Sequence, residues 1–388
     1  MSLAPRITSF NQDEQILLEI VRDFARDRLF SLDRKCDKDE SSVNEVLPEL
    51  ANLGLLSLAI PEEFGGLTCS YRLFASMLYE IAYWSPSTSV TISVHNMVAK
   101  ALRNSLKGPL CAKILPTLAT PDGFSALAIS EAGSGSDARA TTTTATRVDG
   151  GYHVTGEKMW ITNGLAARWL LTLVRMDDSP PREGHCLLLI DAHSPGVGQS
   201  KIHGKMGIRG SETAVISFHE VFVPGEQLIG EEGDGLKVAL STLSEGRISI
   251  ATQAAGMAEA CVDEMTRYAN QREQFDQPIG KFQGVANMIA DSAMELEAAK
   301  VLIWNAASEI DAGRKSRLAC SMAKLYATEC ANRIAYRAVQ VHGGAGYVNE
   351  CRVEQLYRDV RVTTIYEGTS EIQRLVIAGE LRKTAATV

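Results

Sequence analysis

Residues 141–158 read TTTTATRVDGGYHVTGEK, and this stretch decides the fold. Its β-branched residues favour strands, and Asp149-Gly150-Gly151 supplies the residue types of a tight hairpin turn. The pattern predicts one strand over residues 141–148 and a second over residues 152–158. Because helical periodicity dominates on both sides, the hairpin marks a β segment placed between two helical ones.

The chain before the hairpin has the spacing of amphipathic helices. Ile16, Leu17, Ile20 and Val21 recur on one helix face, and similar patterns follow, the last of which predicts a helix over residues 93–118. The first third is therefore predicted to be helical.

Further strands are predicted after the hairpin, and helices return beyond residue 235. The strands cover residues 169–176, 185–192 and 212–223, and the helices cover residues 235–270, 280–311, 315–342 and 370–383. The fold class is mainly α with a central β domain: an N-terminal helical domain over residues 1–122, a middle β domain over 123–232 and a C-terminal helical domain over 233–388. Since strands and helices do not alternate, a doubly wound parallel sheet is a poor fit.

Charge and cysteine usage limit the classes of function. The chain has 388 residues and a net charge of -8, so no overall basic field is available to bind nucleic acid. Apolar runs are too short for a membrane span, and the N-terminus lacks a basic segment followed by an apolar core, so neither membrane insertion nor secretion is expected. The eight cysteines form no Cys-x-x-Cys pair and no zinc-ligand spacing with histidine, which indicates reduced thiols, no metal site and a cytosol-like compartment.

Three segments could contact a ligand, and each also has a structural interpretation. The small residues of Ser130–Asp137 let backbone amides approach a ligand closely, although an ordinary turn explains them better in isolation. Trp160–Gly164 could cover a planar ring at the end of a strand, while a buried core tryptophan is simpler. Gln340–Tyr347 interrupts a helix with three glycines, or ends it in a tight turn, with His342 as a structural histidine.

Glu367 is the most suggestive single residue, because its carboxylate lies in a glycine-containing turn before a helix. Many such glutamates only complement the helix dipole. Three residues after Glu367, the segment Ser370-Glu371-Ile372-Gln373 begins, which is typical of a capping box. Burial would raise the pKa of the Glu367 carboxyl and the helix N-terminus would lower it, and the sequence leaves open which effect prevails.

Taken together, in order and spacing, these motifs resemble the acyl-CoA dehydrogenase family over nearly the whole chain. The matching segments are Leu127–Asp137, Lys158–Gly164, Lys205–Ser211, Arg272–Phe275, Pro278–Gln283, Gln340–Tyr347 and Ile365–Arg374. The resemblance implies a helical N-terminal domain, a middle β-barrel-like domain and a C-terminal four-helix bundle. It also implies FAD as cofactor, an acyl-CoA substrate, an electron-transferring flavoprotein as electron acceptor, and a homotetramer.

The resemblance assigns roles to individual residues. Positions that match flavin contacts are Leu127, Ile129, Ser130, Gly135, Ser136, Trp160, Ile161 and Thr162, with Thr162 near flavin N5. Positions that match contacts to the rest of FAD, partly from a neighbouring subunit, are Arg272, Gln274, Phe275, Phe282, Gln283, Gln340, Val341, Gly343, Gly344, Thr369 and Glu371. Positions that match substrate contacts are Ser136, Ser244, Arg247, Tyr366 and Gly368.

Glu367 matches the family's catalytic base. The implied reaction is α,β-dehydrogenation of an acyl-CoA to the trans-2-enoyl-CoA, in which a base removes the α-proton and flavin N5 accepts the β-hydrogen as hydride. Some members place the base on another helix, immediately before an arginine; here Gly246 holds that position before Arg247, and Glu245 is one residue out of register. Glu367 is therefore the predicted base.

Several points stay open at this level. An acyl-CoA oxidase, which returns electrons to oxygen, and a non-catalytic flavin-binding paralogue are the alternatives, while a nitroalkane oxidase is disfavoured because that branch has aspartate at the base position. Ala132 stands where many relatives have proline, which loosens the turn around it. Val94-His95-Asn96 lies near where relatives shape the acyl pocket, so the acyl group is not predicted. The expected location is the cytoplasm of a bacterium or, in a eukaryote, the mitochondrial matrix.

Overall fold

The computed structural model describes residues 10–314 and 317–385, and along the chain it has a helical, a β and a second helical region. The helices are α1 (Gln12–Phe24), α2 (Phe30–Asp39), α3 (Leu47–Asn52), α4 (Tyr71–Trp84), α5 (Pro86–Ser105), α6 (Gly108–Leu118), α7 (Gly235–Gln271), α8 (Gln283–Asp311), α9 (Arg317–His342), α10 (Arg352–Val360) and α11 (Ser370–Ala385). The strands are β1 (Ser125–Ala128), β2 (Thr144–Val148), β3 (Gly151–Thr162), β4 (Trp169–Met176), β5 (His185–Asp191), β6 (Val197–Lys201), β7 (Thr213–Pro224), β8 (Glu273–Gln274) and β9 (Gln277–Pro278). The predicted fold class is confirmed.

The N-terminal helices form a layer that packs on the C-terminal domain through α4 and α5. The prediction of one helix over residues 93–118 is wrong in two respects. The first helix, α5, begins earlier, at Pro86, and the chain is extended at Lys107, so that α6 is a separate helix. The early start has a local cause, because the Ser85 side chain accepts a hydrogen bond from the Thr88 amide and Pro86 is suited to a first turn.

The middle domain is a curled sheet with strand order β1-β4-β2-β3-β7-β6, in which β5 also pairs with β4. The predicted hairpin is confirmed, since Val148 pairs with Gly151 around the Asp149-Gly150 turn. However, β2 begins at Thr144 rather than residue 141, because the amides of Thr142 and Thr143 donate to Glu131 instead of to a strand. The short strands β1 and β6 carry few β-branched residues, and sequence patterns missed both.

The C-terminal domain is built around α7, which packs on α8 and α9, while α11 packs on α9. The helix start predicted at residue 315 lies outside the described residues, and α10 was not predicted. The predicted capping box is also wrong: the Ile372 amide donates to the Thr369 hydroxyl, and the Gln373 side chain donates to the Gly368 carbonyl. The cap lies one residue earlier because the turn before α11 holds the chain in a left-handed conformation.

None of the helices in the described ranges combines the length and apolar character that crossing a membrane requires.

Candidate active site

The turn before α11 holds Glu367 in a strained conformation. Glu367 has φ +49° and Gly368 has φ +93°, so two successive residues are left-handed. A non-glycine residue is uncommon there and persists only where its surroundings impose it. Two side chains do so, because Lys324 Nζ and Gln373 Nε2 donate to the Gly368 carbonyl at 2.8 and 2.9 Å. Strain of this kind is typical of functional sites.

The carboxylate of Glu367 points at α7. A Cβ atom built on Gly246 would lie 2.6 Å from Met97 Sδ and closer still to Glu367 Oε2, so the carboxylate occupies the space that a side chain at residue 246 would need. Oε2 is buried and has no hydrogen-bond partner among the described residues. A buried polar oxygen without a partner is rare in folded proteins and calls for a functional explanation.

Burial outweighs the nearby positive charges at this carboxyl. Loss of hydration raises the pKa of Glu367 to about 7, and the nearby cations of Lys324 and Arg247 work in the opposite direction. A pKa near the working pH is what a general base needs, because a sizeable fraction is ionised and still basic. The net shift of the Glu367 pKa is upward, which is the direction expected from burial.

Gly246→Ala is expected to lower kcat/KM by about tenfold with little loss of stability. The added methyl group would push aside the ends of two flexible side chains, Glu367 and Met97, and misplacement of a reacting group by about 1 Å can lower a rate by up to about 100-fold. Steady-state kinetics and thermal unfolding of the purified holoenzyme would measure the two effects.

Gly379→Ala is the matched control, because it also lies in a helix and an added Cβ meets nothing within 4 Å. Both substitutions remove the helix penalty of glycine, about 1 kcal/mol. Equal kcat/KM in the two variants would show that the position of the Glu367 carboxylate does not depend on the absence of a side chain at Gly246.

A cavity of about 540 Å³ lies between α5 and α7 and reaches Gly246 and Met97. Its wall is partly polar: Lys100 Nζ pairs with Glu245 Oε2 at 2.5 Å, and the Tyr71 hydroxyl donates to the same oxygen at 2.6 Å. Glu245 is thus occupied by two partners, which agrees with its exclusion as a base candidate.

His95 does not line this cavity. It is fully buried, with Nε2 at 3.0 and 2.9 Å from the Leu56 and Leu118 carbonyls and Nδ1 accepting from the Ser125 amide. Burial lowers the pKa of His95 to about 4, so the ring is neutral and structural. His342 is structural as well, since its Nδ1 lies 2.8 Å from the Ala338 carbonyl and its ring stacks on Tyr268.

A second group of predicted residues lies at the end of β3. Trp160 has φ +64° and an indole that is 57% exposed, so it is not the core tryptophan of the simpler interpretation. Ile161 is buried beneath it, and the Thr162 hydroxyl makes no hydrogen bond to the described residues. The loop that contains Ser130 adjoins this strand, because the Met159 amide donates to the Ser130 carbonyl at 2.8 Å.

Glu131 and Lys158 organise that loop, and sequence reasoning gave neither of them a role. Glu131 accepts bonds from the amides and hydroxyls of Thr142 and Thr143 and from Lys158 Nζ at 2.7 Å. Lys158 Nζ also donates to the Ile129 carbonyl at 3.0 Å, and its side chain is fully buried. Burial raises the pKa of the Glu131 carboxyl, but the charge of Lys158 and the hydrogen bonds to the carboxylate outweigh burial and lower this pKa to about 2. A buried strand lysine facing a loop glutamate gives no signal in a single sequence.

The remaining predicted cofactor residues form a third group. Arg272, Gln274 and Phe275 lie on the β8–β9 hairpin, where the Phe275 ring is 86% exposed and meets Phe282 at 5.9 Å between ring centroids. The others lie nearby in the chain or at helix ends: Gln283 at the start of α8, Gln340 and Val341 in the last turn of α9, Gly343 and Gly344 just after it, and Thr369 and Glu371 at the start of α11. Val341 is buried, whereas Arg272, Gln283 and Gln340 are exposed.

Arg272, Gln274, Phe275 and Phe282 are called the hairpin group, and Trp160, Ile161 and Thr162 are called the Trp160 group. Within the described part of the chain, no hydrogen bond, ion pair or ring contact joins these two groups. The structure brings together Leu127, Ile129, Ser130 and the β3 end in one place, with exposed Gly135 and Ser136 on the same loop. The hairpin group stays apart on the surface of the single chain.

The predicted substrate residues flank Glu367 unequally. Arg247 is buried, donates from Nη1 to Ser321 Oγ at 3.0 Å and leaves Nε without a partner among the described residues. The Tyr366 hydroxyl donates to Gln253 Oε1, and Ser244 is half-buried with its hydroxyl bonded to the Leu240 carbonyl. Arg247, Tyr366 and Gly368 therefore adjoin the carboxylate.

Three domain descriptions match the chain in the order α, β, α. The acyl-CoA dehydrogenase N-terminal, middle and C-terminal domains match residues 11–122, 126–221 and 233–381. These matches define a flavin-dependent oxidoreductase of the α–β–α architecture.

Individual relatives agree with this class. The human mitochondrial short-chain specific acyl-CoA dehydrogenase is 38% identical over 96% of this chain and 91% of its own length. Butyryl-CoA dehydrogenase from Megasphaera elsdenii is 32% identical, covers 96% of this chain and 99% of its own, and superposes with a TM-score of 0.93. A chain from structural work on the electron transferring flavoprotein of Acidaminococcus fermentans is 31% identical. It covers 96% of this chain and 98% of its own, and it superposes with a TM-score of 0.93.

The chain therefore belongs to the acyl-CoA dehydrogenase family. Members of this family are FAD enzymes that act on CH–CH groups, so the predicted family, enzyme class and cofactor are confirmed.

Proposed function

We propose that this protein dehydrogenates an acyl-CoA thioester to the trans-2-enoyl-CoA, with Glu367 as the base that removes the α-proton. One observation carries the proposal: a buried carboxylate oxygen that has no partner among the described residues, held against Gly246 by a left-handed turn. A glutamate that only complemented a helix dipole would point its oxygens at backbone amides of the first turn.

The residues around Glu367 prepare it for proton removal. Burial makes the carboxylate more basic than an exposed glutamate, and the positive charge of Arg247 favours its ionised form. The Glu367 backbone amide is proposed to stabilise the enolate oxygen that develops on the thioester carbonyl, because a preorganised donor is the main requirement there. Tyr366 and Gly368 flank the base and would fix the acyl group beside it.

The exposed residues at the end of β3 fit FAD, which when bound accepts the hydride from the β-carbon. Trp160 offers a free indole face to a planar ring, and the Thr162 hydroxyl is free to bond the edge of that ring. The exposed glycines Gly133 and Gly135 let backbone amides of the loop approach a ligand, because an added Cβ would meet nothing within 4 Å.

The hairpin group is proposed to hold the rest of FAD in an assembled homotetramer, partly across a subunit interface. The exposed side chains of Phe275 and Arg272 suit a surface that is completed by another molecule. We further propose the domain limits 1–122, 123–232 and 233–388, an electron-transferring flavoprotein as electron acceptor, and a cytoplasmic or mitochondrial-matrix location.

Anaerobic bleaching of the purified yellow enzyme against a panel of acyl-CoA thioesters tests the activity. The panel should include short straight-chain, branched, aromatic, hydroxylated and dicarboxylic thioesters, since the cavity beyond Gly246 is polar as well as open. Bleaching by at least one thioester, with formation of the enoyl product, is the expected result. If the holoenzyme bleaches with none of them, the non-catalytic paralogue becomes the better description.

Electron transfer to oxygen separates the dehydrogenase from the oxidase. We expect rapid reduction of a dye or of an electron-transferring flavoprotein and little peroxide in air. Stoichiometric peroxide at a comparable rate would identify an acyl-CoA oxidase instead.

A further inference from the structure

Lys324 is a buried lysine directly behind the Glu367 turn. It lies on α9 with its side chain fully buried, and its Nζ donates to the Gly368 carbonyl at 2.8 Å. An ammonium group buried this completely is expensive to desolvate, so its position calls for a reason. It forms no ion pair within 4.0 Å with a carboxylate of the described residues.

The contact with Gly368 acts on the backbone of the turn. Gln373 Nε2 donates to the same carbonyl at 2.9 Å and to the Glu367 carbonyl at 3.4 Å, so two donors fix the peptide groups that follow the base. Glu367 and Gly368 are both left-handed, a conformation that isolated residues of this kind rarely hold. Losing the Lys324 bond would loosen the direction in which the carboxylate points.

The charge of Lys324 acts on the carboxylate without binding it. An ammonium that formed a salt bridge with Glu367 would occupy the lone pairs a base needs. Lys324 is instead bonded to a neighbouring carbonyl, and no group in the described ranges bonds Glu367 Oε2. A positive charge near a buried carboxylate favours its ionised form.

We propose that Lys324 is a positioning residue that holds the Glu367–Gly368 turn through the Gly368 carbonyl and favours the ionised form of the carboxylate without binding it. The inference rests on the proposed role of Glu367 as base. It deepens that role by naming Lys324 as the residue that favours the charged form of the buried carboxylate.

Other groups face this site and would contribute to its titration. They are Arg247 on α7, with Arg317 on α9 acting on it; Tyr366 beside the base, with Asp359 on α10 acting on it; and Glu329 and Glu371, which act on Lys324 from α9 and α11. Met97 of α5 and Gly246 of α7 are neutral. Lys324 differs from Arg247 because it alone is bonded to the turn that carries the base.

The acid limb of the pH–rate profile tests the charge. Burial raises the pKa of Glu367 and Lys324 lowers it, so Lys324→Met should move the acid limb of kcat/KM upward by about one pH unit. Activity of Lys324→Met would fall about tenfold further on the acid side and recover only in part at alkaline pH, where the lost bond to the Gly368 carbonyl still lowers kcat. Lys324→Arg should restore the limb, while Lys324→Gln, which keeps a donor but not the charge, should restore kcat at high pH without restoring the limb.

Lys300→Met is the matched control. Lys300 is also a buried lysine of the C-terminal domain, but it pairs with Glu259 and Glu297 away from the turn. Its replacement should lower stability without moving the acid limb. If both methionine variants lose activity equally at every pH, Lys324 has only a structural role and the inference is wrong.

A readout without substrate separates this inference from the proposed function. The pH-dependent infrared difference between wild type and Glu367→Gln reports ionisation of the Glu367 carboxyl itself, and Lys324→Met should shift that titration upward. If Glu367→Gln keeps turnover, the base assignment falls while the infrared titration still measures the effect of Lys324. An unchanged titration in Lys324→Met would overturn the inference even if Glu367 is the base.

Discussion

Glu367→Gln is expected to bind FAD and to lose flavin reduction by acyl-CoA, with the rate of anaerobic bleaching falling by about 1000-fold or more. Glutamine keeps the size of the side chain but cannot accept the α-proton, and general-base catalysis typically contributes about 100- to 10,000-fold. The left-handed turn and its contacts to Lys324 and Gln373 involve the backbone, so they should survive the change. Stopped-flow absorbance of the flavin band would measure the rate.

Glu309→Gln is the control for this variant. Glu309 pairs with Arg314 near the end of α8, and its replacement should leave bleaching unchanged. A rate near that of wild type in Glu367→Gln, with FAD bound, would remove Glu367 from the mechanism.

The same variant should also change the pH dependence of stability. Because burial raises the pKa of Glu367 to about 7, above its unfolded value, the folded state holds a proton more tightly than the unfolded chain between these two values. The carboxyl therefore weakens folding progressively as the pH rises from the unfolded pKa to about 7, where the loss is nearly complete, and it has no such effect when protonated in both states. Glu367→Gln should unfold at a higher temperature than wild type at pH 8 and at a similar one at pH 4.

Lys158→Met is expected to destabilise the middle domain by about 3–5 kcal/mol, the range typical of breaking a buried ion pair from one side. Both side chains are nearly inaccessible, at 0% for Lys158 and 5% for Glu131, so the remaining carboxylate would stay charged and poorly compensated. FAD should also bind more weakly, since Glu131 anchors the loop that carries Gly135 and Ser136. Urea unfolding followed by circular dichroism and by flavin fluorescence would measure both effects.

Two further variants make this prediction specific. Glu131→Gln combined with Lys158→Met removes both charges and keeps an acceptor for the threonine donors, so the double variant should be more stable than Lys158→Met alone. Arg182→Met breaks a surface pair with Asp137 in which both side chains are more than half exposed, and it should leave the unfolding midpoint unchanged. A Lys158→Met midpoint equal to that of Arg182→Met would show that the buried pair is unimportant.

The sequence predicted the parts of this fold that depend on local pattern. The β2–β3 hairpin and the helical periods of α7, α8 and α11 follow from residue spacing, and all are present. The errors come from contacts between distant residues. Thr142 and Thr143 have strand-forming side chains, yet their amides bond Glu131, so β2 starts late.

The site divides in the same way. Glu367 could be proposed from its motif, because a glutamate beside glycine before a helix is a local feature. Lys324 lies 43 positions earlier in the chain than Glu367, on a helix whose pattern looks ordinary, and only packing brings its ammonium to Gly368. The direction of the pKa change at Glu367 likewise depends on burial by α5, α7 and α9, which no short stretch of sequence encodes.

The shared space between Glu367 and Gly246 restricts how the base could migrate during evolution. Gly246→Glu alone would confine two carboxylates in one buried volume, where one of them has to stay protonated, and Glu367→Gly alone would remove the proposed base. Each single step is therefore expected to impair the enzyme, and only the reciprocal exchange Gly246→Glu with Glu367→Gly restores one carboxylate in the same place. Enzymes that differ in which of the two positions carries the carboxylate are therefore expected to differ at both positions together.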